Sequence, residues 1–354
     1  MKRNVRSPHV QYPGFFLATV NSFYPKSKGF LVISNLALIA VPALGLRFSS
    51  FVAKKATSLN PYYITGFSDG ESSFMIIVRR RGEENWTVQA VFFICLNTKD
   101  KALLECIQSN WGGVGGFSKG NSNTMQYRVG SLSQLIQTVI PHFNKYPLLT
   151  KKRADFLLFK SAVEMINRKE HLTPEGLQKI VNIKASMNNG LSDQLKNALS
   201  STPVTRPVFE VTGISDANWI SGFTDAEGCF NIHIHRSRTH RLGAQVQIRF
   251  QITQHTRDLE LMLRIKGYLG CGNIEPHPQR STASLVVTKF SDIIDKIIPL
   301  FEKYPLHGAK AKDYEDFKKV AEIMKENGHL THSGLEQILK LKAGMNIGRL
   351  GKPL

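Results

Sequence analysis

Residues Ile64–Ser72 read ITGFSDGES, and 156 positions further on Ile220–Gly228 read ISGFTDAEG. Carried two residues on, to Phe74 and Phe230, the stretches share six identities in eleven, with Thr65/Ser221 and Ser68/Thr224 as near matches. The chain therefore contains an internal repeat. Helix-start chemistry precedes each copy, Asn60-Pro61 in the first and Ser215/Asp216 in the second. Such side chains accept from the free N–H groups of a first turn, where proline is also tolerated. Small residues then recur one turn apart, Gly66 with Gly70 and Gly222 with Ala226. A glycine inside a helix costs about 1 kcal/mol against alanine, and close approach of a second helix backbone is the usual reason to accept it. If the two copies pack along that small face, their C-terminal ends converge, carrying Glu71 and Glu227.

Carboxylates held side by side repel and resist ionising unless a cation lies between them. Hard oxygen ligands suit Mg2+, which keeps waters and recruits phosphate oxygens. The pattern thus suggests a metal-assisted phosphodiester site on a pseudo-two-fold axis. The plainer alternative, two solvated helix-end acids beside packing glycines, explains one copy more easily than two matched ones.

ITGFSDGES and ISGFTDAEG resemble the two signature helices of a single-chain LAGLIDADG homing endonuclease of the organellar, intron-encoded type, and the likeness runs from about Ser58 to Gly351. The resemblance implies that the acid at the eighth motif position, Glu71 and Glu227 here, binds metal, with Gly70 and Ala226 beside it. Both copies have Glu rather than Asp at that position, and the first motif ends in Ser72 rather than glycine. A second repeat, HFNKYPLLTKKRADF (His142–Phe156) and LFEKYPLHGAKAKDY (Leu300–Tyr314), has an offset of 158 and places Lys152 and Lys310 equivalently. The family keeps a basic residue near each carboxylate in this neighbourhood, and such a lysine stabilises charge on a scissile phosphate or polarises the attacking water. Its ordinary alternative is a helix-start cation. Gln254 is similar to the family's active-site glutamine, whereas Leu96 stands at its counterpart. A staggered cut across the narrow groove is also implied.

Of the 46 Lys and Arg, eight lie in residues 1–68, which hold no Asp or Glu. The remaining 38 face 27 acids, so the chain from Asp69 onward keeps +11 of the total +19. An excess spread in this way points to nucleic acid before a membrane surface. Cys95, Cys106, Cys229 and Cys271 lie far apart without metal or disulfide spacing, and no Walker loop or nucleophile elbow occurs. Within the leader, residues 1–57, the apolar run Phe30–Leu46 is broken by Pro42 and flanked by Lys26, Lys28 and Arg47. It reads as a mitochondrial presequence, a short membrane segment, or upstream reading frame fused to an intron-encoded enzyme, the last favoured by the resemblance. The leader is expected to lie outside the catalytic fold and to be poorly ordered.

After each motif the pattern alternates as in a strand. Phe74, Ile76 and Val78 share one face in the first copy, with Arg79 and Arg81 ending the other; Phe230, Ile232 and Ile234 match them in the second, opposite Asn231, His233 and His235. The His233/His235 pair reads as base or phosphate contact before zinc, since no further Cys or His clusters nearby. A second strand follows in each half. In the second copy Gln245, Gln247, Arg249 and Gln251 share a face with Thr253, and glutamine and arginine read adenine and guanine edges. The first copy keeps Gln89 but has Val91 and Phe93 at the equivalent places, so the halves are not expected to read the same bases. Glycine clusters at Gly112–Gly120 and from Gly270 fit no nucleotide fingerprint and read as turns. Long helical stretches close each half, N-capped at Thr173 and Thr331, with a Ser/Pro-bearing linker between.

The reading is an α+β chain of two pseudo-symmetric αββαββα repeats, 58–190 and 214–351, joined by a linker at 191–213. Each repeat has a four-stranded antiparallel sheet with helices on one face, and together they form a DNA-binding saddle. A nine-residue strand spans about 30 Å, close to one turn of DNA at about 34 Å. A monomeric, Mg2+-dependent endonuclease cutting both strands of duplex DNA in a mitochondrion or other organelle is expected. The rivals are an RNA maturase that binds its own intron RNA without cutting, and a DNA-binding regulator. The two acids favour the nuclease, because RNA binding does not need them and, as the resemblance implies, a regulator on this scaffold usually shows eroded motif acids and an added binding domain.

Overall fold

The computed structural model describes residues 58–82, 85–121 and 123–346; the leader lies outside the described residues. Helix α1 (Pro61–Glu71) starts where Asn60 accepts from Tyr62 N at 2.8 Å. It passes without a loop into β1 (Ser72–Arg81), which pairs antiparallel with β2 (Asn85–Asn97). Helix α2 (Lys101–Asn110) leads to β3 (Gly116–Lys119) and β4 (Thr124–Val129). The sheet order is β1-β2-β4-β3. Residues 132–145 form one helical stretch, α3 (Leu132–Gln134) and α4 (Ile140–Lys145) around a π turn. Helices α5 (Lys152–Asn167) and α6 (Pro174–Ala185) follow, and Thr173 caps α6 by accepting from Gly176 N at 3.0 Å.

After a short α7 (Asp193–Ala198) the plan repeats: α8 (Ala217–Glu227), β5 (Gly228–Arg236), β6 (Ala244–His255), α9 (Leu259–Leu269), β7 (Asn273–His277) and β8 (Thr282–Val287). Then come α10 (Phe290–Asp292), α11 (Ile298–Lys303), α12 (Lys310–Lys325) and α13 (His332–Ala343). The second sheet has the matching order β5-β6-β8-β7. Ser72 pairs with Ile94 and Gly228 with Ile252, so the offset grows from 156 to 158 across the hairpin.

Two differences from the sequence reading stand out. The first glycine cluster is not all turn: Gly112, Gly113 and Gly115 take positive φ, and the chain then straightens into the edge strand β3, which needs pairing on one side only. Residues 191–213 include α7 and are pinned to the first repeat, since Arg206 makes a bidentate pair with Asp155 at 2.9 and 3.1 Å. The phenyl ring of Phe209 lies under the cations of Lys151 and Arg153.

Each sheet buries one face. Phe74 packs on Phe92, Phe143, Phe156 and Phe159, and its counterpart Phe230 packs on Phe250, Phe301, Tyr314 and Phe317. Among the described residues no helix is long and apolar enough to cross a membrane.

The first repeat holds a polar chain of which the second keeps the last link, Ser221 donating to Tyr304 O at 2.6 Å. Trp111 Nε1 donates to His142 Nδ1 at 3.3 Å, His142 Nε2 lies 3.1 Å from Thr65 Oγ1, and Thr65 donates to Tyr146 O at 3.0 Å. An indole only donates, so His142 is neutral with its proton on Nε2. Burial pushes its pKa down to about 4. The unfolded imidazole binds a proton near pH 6.5 and the folded one does not, so stability is full above pH 6.5 and falls as pH drops toward 4. The expected loss is up to about 3 kcal/mol. Denaturant midpoints across this range should fall less in His142→Gln, which keeps an acceptor and a donor in place; parallel curves would contradict the assignment.

Candidate active site

The two motif helices meet main chain to main chain. A Cβ added at Gly66 would lie 2.0 Å from Trp219 O, and one at Gly222 would lie 2.0 Å from Tyr63 O. One turn on, a Cβ at Gly70 would sit 2.3 Å from Ala226 Cβ, 3.0 Å from Glu227 Cγ and 3.4 Å from Glu227 Oε1. The small face thus lets the Glu227 side chain lie against the end of α1, beside Glu71. Burial, and next the neighbouring Glu227, push the Glu71 carboxyl above its usual range, while Lys152 and Lys310 pull it back.

Both lysines stand where the sequence repeat places them, as first residues of α5 and α12. Lys152 Nζ donates to Ser68 O and Gly70 O, each at 2.9 Å, and Lys310 Nζ donates to Thr224 O at 2.9 Å and Ala226 O at 3.3 Å. Each ammonium therefore sits on last-turn carbonyls at the negative end of a motif helix, sharing Ser68 O with the N–H of Ser72 and Thr224 O with that of Gly228. Burial pushes Lys152 down to about 8 and also lowers Lys310, against the pull of Asp69, Glu227 and Glu71 on the first and of Asp225, Cys229, Glu227 and Glu71 on the second. The carbonyls of Gly70 and Ala226 keep a second lone pair.

Asp69 and Asp225, identical in the two motifs, hold this arrangement, and the sequence reading gave them no role. Asp69 accepts from Leu149 N (2.9 Å), Thr150 N (3.0 Å), Thr150 Oγ1 (2.6 Å) and, across the interface, Trp219 Nε1 (2.8 Å). Asp225 accepts from His307 N (2.7 Å), Gly308 N (2.9 Å) and, in the other direction, the Tyr63 hydroxyl. A second reciprocal pair crosses between repeats, Asp258 Oδ1 with Lys151 N at 2.7 Å and Asp100 Oδ1 with Ala309 N at 2.6 Å. The segments just before Lys152 and Lys310 are therefore anchored from both halves. The signal was present in sequence, as Thr-Lys-Asp at 98–100 and Thr-Arg-Asp at 256–258, but spacing alone does not say which half an aspartate reaches.

Gln254 is half-buried on the face of β6 that runs through Ile248, Phe250 and Ile252, and it pairs with Ala283 where Leu96 pairs with Met125. The other strand candidates share the opposite, open faces. Arg79, Arg81 and Gln89 are exposed on the first sheet. On the second, Asn231 faces Arg249, His233 faces Gln247, His235 faces Gln245 and Cys229 faces Gln251 across the β5–β6 ladder. The His233 and His235 rings stack at 5.8 Å, and Arg249 pairs with Glu275 at 2.9 Å. These residues line the strands that leave the two glutamates, with Gln251 opposite Cys229 at the near end.

The centre fits a hard divalent cation by its donors: two carboxylates, of which Glu227 disfavours charge on Glu71, with peptide carbonyls beside them. Among the described residues no group of three or more His, Cys, Asp or Glu gathers, so a cation held here would take its remaining oxygens from water, main chain or phosphate.

The LAGLIDADG endonuclease family matches the chain twice, over residues 64–163 and 220–321. "Probable intron-encoded endonuclease 3" of Neurospora crassa is 42% identical over 297 residues, 82% of this chain and 55% of its own length. The chain thus spans about half the length of that relative. The solved structure of the LAGLIDADG homing endonuclease I-SmaMI bound to cleaved DNA is similar with a TM-score of 0.81 and 43% identity, over 82% of this chain and 98% of that one. I-SmaMI bound to an uncleaved DNA target in the presence of calcium ions gives 0.80 and 43%, over 81% and 99%. The two family matches fall on the two repeats whose helices meet at Gly66 and Gly222, and the chain belongs to the LAGLIDADG endonuclease family.

Proposed function

We propose that this chain is a homing endonuclease that binds one long, pseudo-symmetric duplex DNA site along its two open sheets and hydrolyses a phosphodiester in each strand. The observation that carries this is the meeting of Glu71 and Glu227 at the ends of glycine-packed helices, each end capped by a half-buried lysine. Glu71 and Glu227 would hold Mg2+, supported by the oxygen donor set and by the calcium in the name of the I-SmaMI complex. A bound divalent cation supplies Lewis-acid activation of water and of the phosphodiester. Lys152 and Lys310 neutralise the helix ends and set positive charge beside the two acids, where charge on a phosphate in transit needs it. Gln254, in the second repeat only, would orient water. Arg79, Arg81, Gln89 and the polar row of β5 and β6 would contact phosphates and base edges. One chain supplies both halves, so it acts as a monomer. The intron-encoded relative and the acid-free leader support an organellar setting.

The test is a randomised duplex library incubated with the full chain, with Mg2+ or with EDTA, followed by sequencing of the cut ends. A single long motif cut on both strands only with Mg2+ is expected. No enriched ends, or cutting that persists in EDTA, would remove the proposal.

A further inference from the structure

The open faces of the two sheets carry opposite chemistry at structurally equivalent places. Strand register pairs Met75 with Val91 and Ser73 with Phe93 in the first sheet, and Asn231 with Arg249 and Cys229 with Gln251 in the second. Along the repeat, Met75 corresponds to Asn231, Ile77 to His233, Val91 to Arg249 and Phe93 to Gln251. Four adjacent apolar side chains thus stand where the other half has four groups that donate or accept hydrogen bonds. Met75, Ile77 and Phe93 are half-buried and form the surface of the patch, and Val91, paired with Met75, is buried at 1% exposure. Cationic groups border it: Arg79 continues β1, and Arg128 lies 5.9 Å over the Phe93 ring. In the second sheet the protein itself uses part of the polar block, Arg249 pairing with Glu275 at 2.9 Å and Asn231 accepting from Cys229 Sγ at 3.4 Å, while Arg249 Nε and His233 Nε2 have no hydrogen-bond partner.

Resting on the endonuclease reading above, we propose that the first sheet recognises its half-site through thymine methyl groups, while the second reads hydrogen-bonding edges. In the major groove the C5-methyl of thymine is the apolar feature a base pair presents. A guanine or cytosine edge set against Met75, Ile77 and Phe93 would lose water and gain no partner, which is unfavourable. A methyl set there gains burial instead. The patch continues the same strands that carry Gln89 and Arg79, so its occupant is the same duplex. The two half-sites therefore differ in kind, one rich in T·A pairs beneath β1 and β2, the other defined base by base.

The test replaces each thymine of the selected site, one at a time, by deoxyuridine, which keeps pairing and removes only the methyl. Relative cleavage is read in competition with the unmodified duplex, using the wild-type chain. Replacement within one half-site is expected to weaken cleavage on the order of four-fold per contacted methyl, and in the other half-site by less than two-fold. Ile77→His with Phe93→Gln, which installs the residue types of the second sheet, should remove that sensitivity; if the variant does not fold, the deoxyuridine series on the wild-type chain decides alone. Equal sensitivity or indifference in both half-sites, on a site that is selected and cut, overturns this inference and leaves the endonuclease reading standing. Failure to select any cut site overturns both.

Discussion

Glu71→Gln is expected to reduce double-strand cleavage on the order of 1,000-fold or more, with DNA binding retained, and Glu227→Gln to do the same. The substitution keeps the shape of the side chain and removes the negative charge that would hold a cation. The structure adds a second expectation that a folding role would not give. Burial and the adjacent Glu227 already make the charge on Glu71 unfavourable in the free protein, so the unfolding midpoint of Glu71→Gln should be unchanged or higher. Lost cleavage with kept or increased stability is the signature of a group retained for chemistry at some cost to the fold. Cleavage at the wild-type rate by either variant would end the assignment, and a fall in stability together with activity would make Glu71 a structural residue.

Gly66→Ala is the second large effect. Alanine favours a helix over glycine by about 1 kcal/mol, so an isolated helix would gain. Here the added methyl would lie 2.0 Å from Trp219 O and 2.8 Å from Trp219 C, and a main chain has no rotamer with which to yield. The helices must part, which strains Trp219–Asp69 and Tyr63–Asp225 and draws Glu71 away from Glu227. Overpacking typically costs about 1–3 kcal/mol and more where the obstacle is rigid, so a net loss of about 3 kcal/mol is expected, together with loss of cleavage. Gly267→Ala provides the contrast: it lies inside α9 with nothing within 4 Å of the added methyl. That change should stabilise by up to about 1 kcal/mol. Urea unfolding of the two variants checks both, and an unchanged midpoint with full activity in Gly66→Ala would show that the interface is not as tight as described.

The helix pair, the duplication and the lysines were legible in sequence because repetition shows them: a glycine face, an acid and a Lys-Tyr-Pro segment each occur twice at nearly constant offset. The strands and their apolar faces followed from alternation, whereas the order β1-β2-β4-β3 did not. The cross-half anchors were not legible. Asp100 and Asp258 look like ordinary helix-start acids, and only the three-dimensional arrangement shows that each reaches an N–H of the other repeat. The same holds for Tyr63 and Trp219, helix aromatics to which the sequence assigned no role, although each donates across the interface. The burial of Val91 on an otherwise open face was also hidden, because period-two patterning assigns a face but not its depth. The anchoring of 191–213 through Arg206 depends on Asp155, 51 residues away in the chain, which composition cannot reveal.

Helix α1 ends at Glu71 and strand β1 begins at Ser72, just as α8 ends at Glu227 and β5 begins at Gly228. No tether separates the scissors from the ruler. Side chains farther along the strand can be exchanged without altering the peptide units between blade and scale. A version of this protein re-engineered to grip another sequence should therefore still sever it at the same number of base pairs from the letters it reads.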